Sequence, residues 1–159
     1  MQRRTSWISF FMFLLLCLSI GIIGSFWTKE TVSTWYPTLV KPSWTPPDWV
    51  FGPVWSSLYI MIAISGWLIY QSEYSHKRSI ALVFYGTQLV LNFIWSFLFF
   101  SLRSPILGLI DIVTLCILII FTMIKAWPVQ PRATFLLIPY LVWVLYATSV
   151  NAGVWWLNR

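Results

Sequence analysis

The sequence predicts an all-α membrane protein, a bundle of five transmembrane helices with a Pro/Trp-rich first loop. Three observations lead there. Of the 159 residues, 59% are apolar or aromatic and only 9% are charged, too few to clothe a soluble domain of this size. The charged residues fall in short clusters between long uncharged runs. Five of those runs reach about 20 residues, enough at 1.5 Å per residue to cross a hydrocarbon core of about 30 Å. None shows the two-residue alternation that a membrane β-barrel requires.

The first span is expected over 7–27, after Arg3 and Arg4. A basic start before an apolar run also opens a signal peptide, but this run is too long for a signal core and no small-x-small site precedes a polar linker, so it reads as a retained span. The linker 28–50 is the only long one. Its stretch WYPTLVKPSWTPPDW (35–49) holds four prolines, three tryptophans and one tyrosine. Prolines restrain the backbone and remove donors, which predicts a semi-rigid flap able to close its aromatics over a flat ligand, or alternatively an interfacial cap.

The second span is expected over 51–70, with Pro53 in its first turn, where no intrahelical N–H is needed. The third covers 80–100 and the fourth 105–127, opened by Ser104-Pro105. The fifth covers 134–157, and Pro139 within it should loosen the preceding turn or mark a later start. The remaining connections, 71–79, 101–104 and 128–133, are short enough to predict that successive helices are antiparallel neighbours. A single domain over 1–159 with no internal repeat is the expected organisation.

The formal charge of +6 does not point to nucleic acid, because the basic residues punctuate the apolar runs instead of lining a face. They serve as topology signals. Arg3, Arg4, Lys77, Arg78, Lys125 and Arg132 fall on one side and Lys29, Lys41, Arg103 and Arg159 on the other, which predicts a cytoplasmic N-terminus and an outer 28–50 linker in a multi-pass protein of a bacterial type of cell membrane. Cys17 and Cys116 both lie in apolar runs, so neither a disulfide framework nor a metal-thiolate set is expected, and no cofactor is implied. His76 stands in a charged turn, EYSHKR, away from any carboxylate pair, and acid-base catalysis by side chains has little to work with.

What remains is binding. On the third span Gln88, Asn92, Trp95 and Phe99 share a face; on the fifth Trp143, Ala147, Asn151 and Trp155 recur every four residues; on the second Trp55, Tyr59 and Ala63 do the same. An amide in hydrocarbon needs a partner, so Gln88, Asn92 and Asn151 are expected to face inward. Either these faces only glue the bundle, or they wall a mostly apolar cavity with a few polar fixing points. Their depth puts such a cavity in the half of the membrane facing the long linker. Asp111, the one carboxylate within a span, is a candidate functional group or a partner for Arg103. Tryptophans at span ends, such as Trp7, Trp27, Trp127, Trp155 and Trp156, suit the headgroup level.

WYPTLVKPSWTPPDWVFGPVWSSLY (35–59), QLVLNFIWSFLFF (88–100) and PYLVWVLYATSVN (139–151) resemble, segment for segment, the tryptophan-rich sensory protein or TspO/MBR family, which includes the mitochondrial translocator protein. The resemblance implies a five-helix membrane receptor or sensor, often a homodimer in the lipid bilayer, that binds porphyrins, haem intermediates or similar flat hydrophobic ligands. It also implies a pocket at Tyr36, Pro46, Trp55, Gln88, Asn92, Trp143 and Ala147, to which the shared faces add Tyr59, Trp95 and Asn151. Light-dependent porphyrin degradation through Trp55 and Trp143, and transport of tetrapyrroles, are the alternatives it carries. The tail ATSVNAGVWWLNR lacks the tyrosine of the family's cholesterol-recognition pattern, which argues against sterol binding.

Overall fold

The computed structural model describes the backbone of residues 2–159 and the side chains of residues 6–159. The side chains of Arg3 and Arg4, counted in the charge bias, lie outside that description. Among the described residues five helices are long and apolar enough to cross a membrane: α1 (Gln2–Thr34), α2 (Asp48–Gln71), α3 (His76–Ser96), α4 (Pro105–Ala126) and α5 (Pro131–Leu157). Among the described residues there is no strand.

The helices outrun the spans expected from composition, and local chemistry says why. α1 continues past Trp27 through TKETVST, since a charge ends the hydrocarbon without breaking a hydrogen-bonded ladder. Its hydroxyls bond to its own carbonyls, Thr28 to Gly24 at 2.8 Å and Thr34 to Glu30 at 2.7 Å. The helix stops just before Pro37, where the ring disfavours helical geometry in the residue it follows. A single 3₁₀ turn, Tyr36–Thr38, comes next. The true linker is therefore 35–47, not 28–50.

α2 starts after Pro47 with Asp48 in its first turn, a favourable charge at that end of the helix dipole. Pro53 is thus the sixth residue and lies inside the helix, contrary to the first-turn placement. α3 begins at His76, capped by the Ser75 hydroxyl, which accepts from the Arg78 N–H at 3.2 Å. It ends in a π turn, Phe97–Ser101, closed by the Leu102 N–H on the Phe97 carbonyl at 3.0 Å. Arg103 then adopts a left-handed φ of 50°, and Ser104-Pro105 opens α4 as expected. α5 starts earlier than expected, at Pro131, and runs through Pro139.

Around the bundle the order is α1, α2, α5, α4, α3 and back to α1. Short turns therefore make neighbours of α3 and α4 and of α4 and α5, whereas α2 seats mainly on α1 and α5. A tyrosine explains the exception. The Tyr85 ring of α3 lies against Gly66 of α2, and its hydroxyl donates to the Ile62 carbonyl at 3.0 Å while lying 3.4 Å from Cys17 Sγ on α1. That ring fills the space where α2 and α3 would otherwise pack. α2 instead closes on α5 through Ser65, whose hydroxyl donates to the Ala133 carbonyl at 2.9 Å. Around this level the interior is filled by Ile62, Ile69, Ile119 and Leu137, all nearly inaccessible. Nearer the flap the helices part.

Candidate ligand-binding cavity

The opening is a cavity of about 500 Å³ in the half of the bundle under the flap, within the range typical of small-molecule sites. Three helices each bring an indole to it: Trp55 on α2, Trp95 on α3 and Trp143 on α5. Aromatic neighbours fix their planes. Trp55 lies 5.4 Å from Tyr59, Trp95 stacks on Phe99 at 5.2 Å, and Trp143 meets Phe51 edge-on at 5.9 Å. Tyr36 and Pro46 of the flap, Tyr59, Asn92, Ala147 and Asn151, also expected, line its walls.

The expected set also includes Gln88, which does not reach the cavity. It is 1% exposed and forms the deep end of a buried chain. The Tyr59 hydroxyl donates to Asn92 Oδ1 at 2.8 Å, Asn92 Nδ2 donates to the Tyr140 hydroxyl at 2.9 Å, and Tyr140 donates to Gln88 Oε1 at 2.8 Å. Gln88 Nε2 has no partner. Sequence spacing aligned Gln88 with Asn92 on one helix face, but it lies one helical turn deeper, where Tyr140 fills the space between helices. Tyr140 itself went unnoticed because a tyrosine inside an apolar run carries no periodic signal.

Asn151 is committed to structure as well as to the wall. Its Nδ2 donates to the Pro105 carbonyl at 2.8 Å and its Oδ1 accepts from Trp95 Nε1 at 3.3 Å, so it orients the indole of α3 from α5. Trp143 Nε1 is buried with no acceptor. Two members of the expected faces leave the cavity: Ala63 is packed in the core, and Trp155 lines a separate groove between the flap and α5. Asp111 is also off the cavity wall. It is buried with Oδ2 unpartnered, so the pairing with Arg103 that the sequence left open is not made.

The flap is held, as its prolines predict, by named contacts to α5. The Asn158 amide grips both backbone groups of Val40, accepting from its N–H at 3.0 Å and donating to its carbonyl at 2.8 Å. The Tyr146 hydroxyl donates to the Trp44 carbonyl at 2.5 Å. Pro42 rests on Gly153, where a Cβ would lie 2.8 Å from Pro42 Cγ. The flap's tryptophans do not close over the cavity. Trp35 packs edge-on against Phe99, whereas Trp44 and Trp49 are exposed at 52% and 75%. Only Tyr36, Pro46 and Asp48 of that stretch face inward. Tyr36 is wedged over Phe99 and Phe100, which the π turn presents together. Burial pushes its phenol up from the ordinary value, and the Asp48 carboxylate adds to the rise.

The fourth wall is α1, which spacing did not single out. Gly21, Gly24, Ser25 and Thr28 line the cavity, and a Cβ at Gly21 would lie 2.7 Å from the Tyr59 ring. A run of small residues in an otherwise bulky span was the available signal. The arrangement suits a flat, largely apolar molecule: indole and phenol faces for stacking, two amides with their geometry already set, and, among the described residues, no basic one on the wall.

Comparison with known proteins agrees with this architecture. Residues 13–157 match the model of the TspO/MBR family. The tryptophan-rich protein TspO of Archaeoglobus fulgidus is 41% identical over 145 residues, covering 91% of this chain and 94% of the relative. Protein CrtK of Rhodobacter capsulatus is 31% identical over 150 residues, covering 94% and 92%. The translocator protein of Homo sapiens is 35% identical over 140 residues, covering 86% and 83%.

Proposed function

The chain belongs to the TspO/MBR family, and on that premise we propose that it is an integral membrane receptor or sensor that binds porphyrins, haem intermediates or similar flat hydrophobic ligands in the cavity under the flap. The observation that carries the reading is the convergence of Trp55, Trp95 and Trp143 from three helices on one cavity with Asn92 between them. Stacking on indoles rewards a planar ligand, and a few preset amides fix its orientation. Titration of the purified protein with protoporphyrin and haem, read by tryptophan quenching against N-acetyltryptophanamide in the same micelles, should show saturable binding that added cholesterol does not displace. Quenching no greater than that of N-acetyltryptophanamide would sink the proposal.

A second reading, light-driven porphyrin degradation, is favoured by one observation: both Trp55 and Trp143 line the cavity. Phenylalanine keeps aromatic bulk but is harder to oxidise by one electron. The double change Trp55→Phe plus Trp143→Phe should retain binding within roughly 1 to 2 kcal/mol while suppressing the illuminated absorbance decay. Decay at the wild-type rate would reduce the two indoles to walls.

The cytoplasmic N-terminus belongs to the same proposal and rests on the basic bias. Both native cysteines are buried, which gives a quiet background for labelling. In intact cells an impermeant maleimide should modify Thr38→Cys in the flap and spare Glu73→Cys in the α2–α3 turn. The reverse pattern would invert the topology.

A further inference from the structure

The cavity wall carries one formally charged side chain, and it is an acid. Among the described residues that line it, Asp48 is the only Asp, Glu, Lys or Arg. It is exposed, and it sits at the upper end of the one edge where the cavity meets its surroundings. The lining residues that are also exposed are Ile22 and Ser25 on α1 and Asp48, Gly52 and Ser56 on α2, the last three spaced four apart along one ridge. The cavity thus opens as a slot between α1 and α2, with the pinned flap above it and Asp48 where the slot meets the flap.

The flap's one cation does not line the cavity. Lys41 Nζ lies 4.1 Å from the Tyr36 ring centroid, and Lys41 lines the groove between the flap and α5, not the cavity. Tyr36, in the cavity roof, feels the Asp48 carboxylate, which helps to push its phenol up. A ligand edge arriving at the mouth therefore meets a negative charge with no lining cation to offset it.

We propose that Asp48 is a specificity residue of this cavity, disfavouring ligands whose outward edge carries carboxylates and favouring those whose edge is neutral or cationic. The inference rests on the reading of the cavity as the site for flat apolar ligands. It selects within that class: a neutral or esterified tetrapyrrole fits the mouth better than its free diacid.

The test compares protoporphyrin, a dicarboxylate, with its dimethyl ester, which has the same macrocycle and no charge. Both are titrated into full-length wild type and Asp48→Asn in one detergent, with empty micelles as the blank. Because Asp48 is exposed and asparagine is nearly isosteric, the variant should fold normally. Asp48→Asn is expected to tighten the diacid roughly three- to tenfold and leave the ester within about twofold, as removal of one like charge at a wetted mouth should. The gain should shrink in 1 M salt, where the screening length falls to about 3 Å. An unchanged ratio of diacid to ester affinity, or an equal shift in both, would overturn the inference while leaving the cavity reading intact. Failure of the wild type to bind either compound would overturn both.

Discussion

Replacing Ala147 by leucine should weaken porphyrin binding by roughly 5- to 150-fold without unfolding the protein. Ala147 stands on the cavity wall of α5 between Trp143 and Asn151, one turn from each. Three added carbons there project into the space where the edge of a macrocycle must lie. Forcing them against a bound ligand costs about 1 to 3 kcal/mol, the usual penalty of overpacking. In the free protein the same carbons enter an open cavity and meet no resistance, so thermal unfolding in detergent should stay at or slightly above the wild-type temperature. That combination separates a blocked site from a damaged fold. Wild-type affinity in Ala147→Leu would mean that the ligand does not occupy this cavity.

Tyr140→Phe should be the most damaging single-atom change in the bundle, destabilising it by about 1 to 3 kcal/mol. Tyr140 has no exposure, and its hydroxyl both accepts from Asn92 Nδ2 and donates to Gln88 Oε1. Phenylalanine preserves the ring and its contact with Trp55, 6.3 Å between centroids, so packing is not the variable. Removing the oxygen strips Gln88 of its remaining partner, since Nε2 already has none, and frees the Asn92 amide at the cavity wall. Each orphaned buried group costs about 1 to 3 kcal/mol in water-soluble proteins, and interhelical hydrogen bonds in membranes are worth about 0.6 kcal/mol each on average, so losing both Tyr140 bonds sets the lower end at about 1 kcal/mol. Unfolding of wild type and variant in the same mixed micelles measures the difference. Equal stability would show that the chain from Tyr59 to Gln88 is not a structural element of the bundle.

Much of this molecule is legible in one dimension because the bilayer imposes a simple rule. Every backbone group in hydrocarbon must bond within its own segment, so a long apolar run has to be a helix. The number of helices, the short turns and the Ser104-Pro105 start follow from that rule and from local capping chemistry. The stripes on α2, α3 and α5 follow from helical spacing plus the requirement that amides and indoles find partners. They bring seven of the expected residues to one cavity wall, with Gln88 the exception, while Tyr36 and Pro46, expected from the family resemblance, reach it from the flap.

By itself, then, the sequence determined the fold class, the five helices, the restrained flap and the aromatic character of the site. Tertiary structure alone decided how far each helix extends and which helices touch. It decided that Gln88 is spent on Tyr140, that Asn151 is tied to Pro105, and that Tyr36 of the flap and Asp48 at the start of α2 line the cavity while Trp44 and Trp49 stay exposed. The physical reason is common to all of these. Periodicity reports which side of a helix avoids lipid, but not what lies across the gap. At Tyr85 over Gly66, at Tyr140 between Asn92 and Gln88, and at Pro42 over Gly153, the answer depends on the volume and donors of a residue more than 15 positions away, which no local pattern encodes.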